Sequence, residues 1–199
     1  MGLLTRWQEY VRQYGTMGLL RHLVARMVRP VWETNSALLL TLEPPAPVVK
    51  AKVPLKIALI ATKGPEGHLC YGAWYEGARV HHSWVSFSDT RIAEIDSTIR
   101  LEPGEAYIYD CFTDGSTRGK GIFPAVLSHI AQELFAQGCR RIWIAVEEEN
   151  RSSLKAIERA GFRRAAEVSY RRLGAHVILN TEHVPGSPVP HLSAPSPDR

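Results

Sequence analysis

The sequence predicts an α/β domain, and two observations predict it. The segment Glu105–Thr113 reads as a strand. The glycine loop that follows opens the amphipathic stretch Pro124–Gln137, which leads into the apolar strand Arg140–Val146. Strand, helix, strand at that spacing is a crossover unit, and such units lay their two strands parallel. The second observation is bulk: 199 residues at 45% hydrophobic content are enough for one well-cored domain with extensions.

Residues 1–34 read as helical. Leu3, Leu4, Trp7, Tyr10, Val11 and Tyr14 form one apolar stripe, Gly15 breaks it, and Leu19, Leu20, Leu23, Val24, Met27, Val28 and Val31 resume it. Pro30 should stop or kink the second segment. This extension either packs on the core or on a second copy of the chain, or lies with its basic side on an anionic membrane. The domain proper is expected over 35–182. Ser36–Glu43 reads as a strand, Pro44–Pro54 as an extended proline-rich connector, and Lys56–Ala61 as another strand. Cys70–Phe87 reads as a hairpin turning near Glu76-Gly77. Residues 88–104 carry no clear period, although Ser88–Ile95 has the look of a capped helical turn. After the crossover come a short helix between Asn150 and Gly161 and two late strands ending near Thr181. Residues 183–199 are rich in Pro and Ser and are expected to be a disordered tail.

Charge and cysteine usage narrow the function little. A net charge of +4 suits anionic small molecules, nucleic acid or a membrane surface without choosing among them. Three cysteines without CxxC spacing argue against a disulfide framework and against a metal site, so a reducing cytoplasm is expected. No signal peptide is expected, and no apolar run approaches the roughly 20 residues of a membrane span. "MGLLTR" departs from an acylation signal because Arg6 stands where a hydroxyl is required. No aromatic signature for nucleic acid is present.

The chemistry sits in "TDGSTRGKGIFPAV". The first amides of a helix lack intrahelical partners, and the helix dipole adds about half a positive charge there. Gly119 and Gly121 let backbone approach a ligand, and Arg118 and Lys120 add charge. This suits phosphate oxygens. Pro124 costs little in the first turn. The stretch is not a P-loop, because Gly115 and Gly119 are too close and Gly121 replaces the hydroxyl. It is not a dinucleotide fingerprint, because no third glycine follows Gly121. Read alone, it is equally a surface turn.

It is not alone. Arg-Gly-Lys-Gly-Ile after a strand, followed some thirty residues later by "NRSSLKAIERAGF", resembles the GNAT superfamily of N-acetyltransferases. The likeness is detailed from Glu105 to Arg172 and elsewhere extends only to strand order. It implies a mixed, mostly antiparallel sheet with a central splayed parallel pair and helices on both faces. It implies acetyl-CoA as acyl donor, with no metal. Arg118 and Gly121 take the first and fourth loop positions, and amides of Gly119, Lys120, Gly121, Ile122 and Phe123 hold the pyrophosphate. Cys111 and Thr113 lie nearest the cofactor on the splayed strand, Asn150 contacts the pantetheine arm, and Ser153 takes the small-residue place. Gly161-Phe162 close the motif.

The departures bear on mechanism. Phe123 replaces the final small residue of the loop, so its side chain must turn away from the phosphates. Ile157 stands where many members have a tyrosine that protonates the departing thiolate, so water supplies that proton to a tolerable leaving group, or Tyr109 or Tyr170 substitutes. The acceptor amine must lose a proton before it attacks the thioester. Alternation along the strand places Glu105, Tyr107, Tyr109 and Cys111 on one face and Ile108, Asp110 and Phe112 on the other. Glu105 and Asp110 are the candidate bases on this strand, with His81, His82 or water as alternatives. His81-His82 also fit plain cross-strand positions, and Cys111 fits a buried filler better than an acyl carrier. The expected activity is transfer of acetyl to a small-molecule amine. The alternative is a non-catalytic CoA-binding protein on the same fold.

Overall fold

The computed structural model describes residues 32–63, 67–173 and 176–193. The helices expected before Val31 lie outside these residues. Trp32–Thr34, expected at the end of that helical stretch, instead open β1 (Trp32–Leu42). Among the described residues no helix is long and apolar enough to cross a membrane.

Chain order gives β2 (Lys56–Lys63), β3 (His68–Tyr75), β4 (Ala78–Ser86), β5 (Thr90–Ile92), β6 (Ser97–Arg100) and β7 (Glu105–Thr113). After the glycine loop come α1 (Ile122–Ala136), β8 (Arg141–Glu147), α2 (Arg151–Arg159), β9 (Arg163–Leu173), β10 (His176–His183) and β11 (His191–Ser193). Eight strands form one sheet in the order β10-β9-β1-β8-β7-β4-β3-β2, and β11-β6-β5 form a small second sheet. Among the described strands of the large sheet only β7 and β8 run parallel, joined by the α1 crossover. The expected mixed, mostly antiparallel sheet with a central parallel pair is therefore present. β1 is placed between β8 and β9, antiparallel to both.

Each face of the large sheet carries its own apolar cluster. On one face Leu38, Leu40, Ile108 and Ile144 meet Val126, Ile130 and Leu134 of α1 and Leu154 and Ile157 of α2. Burying each such side chain contributes about 2 kcal/mol. On the other face Leu39, Tyr107, Trp143 and Val168 meet Ile92, Ile95 and Ile99. Both described helices thus lie on the first face, and the small sheet covers the second. Residues 88–104, left open to a capped helical turn, form β5 and β6 instead. Ile92 and Ile99 there are buried β-branched residues, and a strand pair lets them reach Tyr107.

The proline-rich connector after β1 runs extended along α1. Ser128 of α1 holds it, donating from Oγ to Pro47 O at 2.6 Å and accepting from the Val49 amide at 2.9 Å. The chain beyond His183 differs from the expected disordered tail as far as Ser193. It folds back so that β11 pairs with β6, and Ser97 Oγ donates to Ser193 O at 2.7 Å. Leu192 packs on the second cluster, an apolar anchor that composition alone hides among Pro and Ser.

Candidate functional site

The parallel ladder between β7 and β8 is short. It runs from Glu105↔Arg141 to Ile108↔Ile144 and stops, although β7 continues to Thr113 and β8 to Glu147. Beyond Ile108 and Ile144 the strands part and leave a wedge. The cause lies on β7. Trp84 of β4 faces Tyr109 and His82 faces Phe112, so Asp110 and Cys111 together stand against Ser83. This is a bulge, and Asp110 takes a positive φ of 47° to make it.

The bulge also corrects the alternation read from the sequence. Tyr107 and Tyr109 belong to the small-sheet side, whereas Cys111 packs on the helix side. The extra residue turns the strand over at Asp110, so Cys111 no longer shares a face with Tyr109.

At the end of β7 a single 3-10 turn, Gly115–Thr117, leads into the loop, capped by the Asp114 carboxylate accepting from the Ser116 amide. Gly119 and Gly121 take φ of 79° and 75°, values that suit glycine. The first intrahelical bond of α1 is Ala125 N–H to Gly121 O. No side chain caps this helix, and its first turn holds no acid. Among the described residues the amides of Gly119, Lys120, Gly121, Ile122 and Phe123 have no hydrogen-bond acceptor. A Cβ on Gly119 would meet open space. The connector approaches from the carbonyl side, with Lys52 N–H donating to Lys120 O at 2.8 Å, and leaves those amides clear. Arg118 and Lys52 are exposed beside the loop. A Cβ on Gly121 would lie 3.6 Å from Arg159 Nη1, so α2 supplies a further cation. Lys120 stands over the Tyr75 ring. Free amides, a helix N-terminus, several cations and an adjoining wedge between strands fit a diphosphate with a long arm attached.

Phe123 turns inward, packing on the helix-side core with its ring 5.5 Å from that of His81. The space at the loop is thus kept for backbone contacts. His81 is 2% exposed. Its Nδ1 lies 2.7 Å from Thr113 Oγ1 and its Nε2 2.8 Å from Ser83 Oγ, and Ser83 donates to Cys111 Sγ at 3.1 Å. Burial, helped by the charge of His82, pushes the His81 pKa down to about 3. Burial, above all, pushes the Cys111 thiol up to about 12, so it stays a thiol at neutral pH and is a poor nucleophile. His81 is therefore a buried, neutral imidazole held between two hydroxyls, neither an exposed cross-strand residue nor a ready base.

The two carboxyl candidates on β7 fare differently. Glu105 lies at the far end of the strand from the loop, 4% exposed. Arg141 Nη1 donates to it at 2.7 Å, Trp143 Nε1 at 3.2 Å and the Glu102 amide at 3.2 Å. Those three bonds engage both carboxylate oxygens and hold it away from the wedge. Asp110 is exposed at the bulge. Tyr109, half-buried on the small-sheet side, leans across β4 so that its hydroxyl lies 2.6 Å from His68 Nδ1 of β3, away from the wedge, and burial raises its pKa. Asn150 caps α2, its Oδ1 accepting from the Ser153 amide at 3.2 Å, and is exposed. Ile157 is sealed in the helix-side core.

Sequence reading missed two residues. Glu94, half-buried in the turn between β5 and β6, lies close enough for its charge to act on Tyr107 and Cys111 of β7, and Glu147 at the end of β8 acts on it in turn. Burial raises its pKa. No motif marks it; only the fold-back of the small sheet delivers it. His68 carried no signal beyond being a histidine in an apolar strand.

The model of the Acetyltransferase (GNAT) family matches residues 40–162. Among solved structures, a GCN5-related N-acetyltransferase from Kribbella flavida superposes with a TM-score of 0.52 at 14% identity, over 75% of this chain and 62% of that one. A GCN5-related N-acetyltransferase from Sphaerobacter thermophilus gives a TM-score of 0.50 at 14% identity, over 79% of this chain and 56% of that one. This chain thus spans about three fifths of the length of these structures. At such identity the likeness speaks for the fold.

Proposed function

Because the chain belongs to the acetyltransferase (GNAT) family, we propose that it transfers an acyl group, acetyl in the first instance, from acyl-CoA to an amine. The observation that carries this reading is the junction of two features. The β7–β8 ladder ends at Ile108↔Ile144, and the same strand then feeds a loop whose amides stand unpaired at a helix N-terminus.

In this reading the amides from Gly119 to Phe123 hold the cofactor's pyrophosphate, with Arg118, Lys52 and Arg159 adding charge. The pantetheine arm lies in the wedge along the backbone of Tyr109–Thr113. Asn150 and Ser153 flank its far side at the start of α2. Bound acyl-CoA supplies an activated carbonyl. Glu94 takes the proton of the acceptor amine, and its raised pKa makes it a stronger base than an exposed carboxylate. Water supplies the proton to the departing sulfur, the task that Ile157 cannot perform, since the Tyr109 hydroxyl is turned away to His68. Glu105 holds the base of the parallel pair together and takes no part in the chemistry. Three free cysteines, Cys70, Cys111 and Cys139, suit a reducing compartment.

Calorimetry with acetyl-CoA tests the reading. Binding in the micromolar range is expected, weakened at least tenfold in Gly119→Val, where a β-branched residue meets the positive φ. Absence of binding at millimolar acetyl-CoA overturns it. Binding without CoA release on a panel of amines favours the second reading, a CoA-binding protein without turnover, to which the loss of the usual tyrosine at Ile157 points.

A further inference from the structure

We propose that the proline-rich connector is a positioning element for the diphosphate site: the Lys52 main-chain amide, by holding the Lys120 carbonyl, aims the Gly121 amide at the anion. The inference rests on the acyltransfer reading above and assigns the connector a task in its cofactor step.

Gly119 and Gly121 take φ of 79° and 75° and enclose the single residue Lys120. The peptide unit from Lys120 to Gly121 is the one that matters. A trans peptide sets its carbonyl and its N–H on opposite sides. Turning that unit over changes ψ of Lys120 and φ of Gly121, and glycine accepts either sign of φ at little cost. The loop sequence by itself therefore leaves two orientations open. In one, the Gly121 N–H faces the ligand side. In the other, the Lys120 carbonyl takes its place and repels phosphate oxygens.

The connector decides between them. Lys52 N–H donates to Lys120 O at 2.8 Å. The Gly121 N–H then points away from the connector. That is the side on which, among the described residues, the loop amides have no acceptor. Contact is close: a Cβ on Gly121 would stand 3.7 Å from Ala51 Cα and 3.7 Å from Lys52 N. The Lys120 side chain is held too, its ammonium 5.6 Å from the centroid of the Tyr75 ring. The residue between the two hinges is thus fixed at its carbonyl and at its side chain.

The strap that carries the Lys52 amide is itself pinned. Ser128 of α1 is 1% exposed. Its Oγ donates to Pro47 O at 2.6 Å and accepts from the Val49 amide at 2.9 Å and from Gln132 Nε2 at 3.1 Å. Pro47 also rests on the end of α2, where a Cβ on Gly161 would stand 2.6 Å from Pro47 Cγ. Ala46 and Leu55, on either side of this span, pack on the helix-side cluster. The strap therefore reaches Lys120 as a rigid arm fixed to both helices. An amide aimed in advance loses no orientational freedom when the ligand arrives, which strengthens binding without adding a contact.

The test uses the full chain and calorimetry with acetyl-CoA. Lys52→Ala and Lys52→Pro lose the same charge, but only the proline loses the main-chain donor. At equal salt, Lys52→Pro is expected to bind acetyl-CoA about fivefold more weakly than Lys52→Ala, the worth of one net hydrogen bond. Equal affinities overturn the proposal. Ser128→Ala frees the strap without touching the loop, and its Kd should rise about threefold. In thiol release at saturating acetyl-CoA, with slow transfer to water as the baseline, that loss should fall on KM, with kcat kept within about twofold. A loss confined to kcat overturns the proposal.

A third arm needs no variant. Coupling is reciprocal, so a cofactor strengthened by the clamp must strengthen the clamp. Hydrogen exchange at the Lys52 amide of the wild type should slow about fivefold when acetyl-CoA is added, and slow likewise with inorganic pyrophosphate. Slowing with pyrophosphate in a chain that does not bind acetyl-CoA removes the acyltransfer reading and keeps the clamp. A Lys52 amide that neither probe slows overturns the clamp, even where acetyl-CoA binds.

Discussion

His81 Nδ1 stands 2.7 Å from Thr113 Oγ1, joining the neighbour strand to the last residue of β7 before the glycine loop. An imidazole whose folded pKa is about 3, below its ordinary 6.5, gains its proton readily only after unfolding. The stability it contributes is complete above the unfolded value and is lost as pH falls from about 6.5 toward 3. His81→Gln should cost about 2 kcal/mol at pH 8 through lost hydrogen bonds. It should also flatten the fall in stability between pH 7 and 4, and urea denaturation at a series of pH values checks both.

Glu105 was a candidate base from sequence and is a structural charge in the fold. Glu105→Ala strands the Arg141 guanidinium and the Trp143 N–H in a buried place, which costs about 3 kcal/mol. In material that remains folded at low temperature, CoA release per folded molecule should change less than threefold. Equilibrium unfolding together with an active-site-normalised rate separates the two effects.

Glu94 makes the opposite case. Burial is the chief reason its pKa is raised, so its charged form is disfavoured in the folded state. The sign follows: its contribution is most favourable at low pH and is lost as pH rises through its folded value. Glu94→Gln should therefore be more stable than the wild type at pH 7, by about 1 kcal/mol, and equal to it near pH 4. Its kcat should fall about 100-fold, and the acid limb of its pH–rate profile should disappear. A gain in melting temperature with no change in rate removes Glu94 from the mechanism.

Gly161 locks the connector to the end of α2. Its φ is 97°, and a Cβ there would stand 2.6 Å from Pro47 Cγ and 2.7 Å from Pro47 Cδ. Gly161→Ala should cost about 3 kcal/mol, combining a strained backbone with a clash against a rigid ring. Pro47→Ala in the same chain should recover part of the loss, which a double-mutant cycle measures.

Much of this was legible from residue order. Asn150 was marked as the start of α2 by its own chemistry. The two glycines at the loop follow from the need for positive φ. The Glu76-Gly77 turn was readable for the same reason, with φ of 51° and 78°. What alternation cannot reveal is a bulge. Asp110 looks like any other polar strand residue, yet one added residue reverses the facing of Cys111. Residues 88–104 stayed unreadable because β5 and β6 are too short to show a period, and their apolar residues are claimed by Tyr107 and Trp143 rather than by each other. Leu192 was hidden because three residues of strand cannot outweigh the composition around them. Arg159 reaches Gly121 by tertiary placement alone.

The position of β1 in the sheet has a consequence for how the chain is made. Leu40 leaves the ribosome well before its partners Ile144 and Arg164, which lie far along the chain from it. At about 5–20 residues per second the leucine-rich strand waits several seconds with both edges bare. The nascent protein therefore cannot complete its central sheet from the front. Ribosome-bound intermediates released before β9 should be aggregation-prone and dependent on chaperones, while β2, β3 and β4 can already zip as a meander.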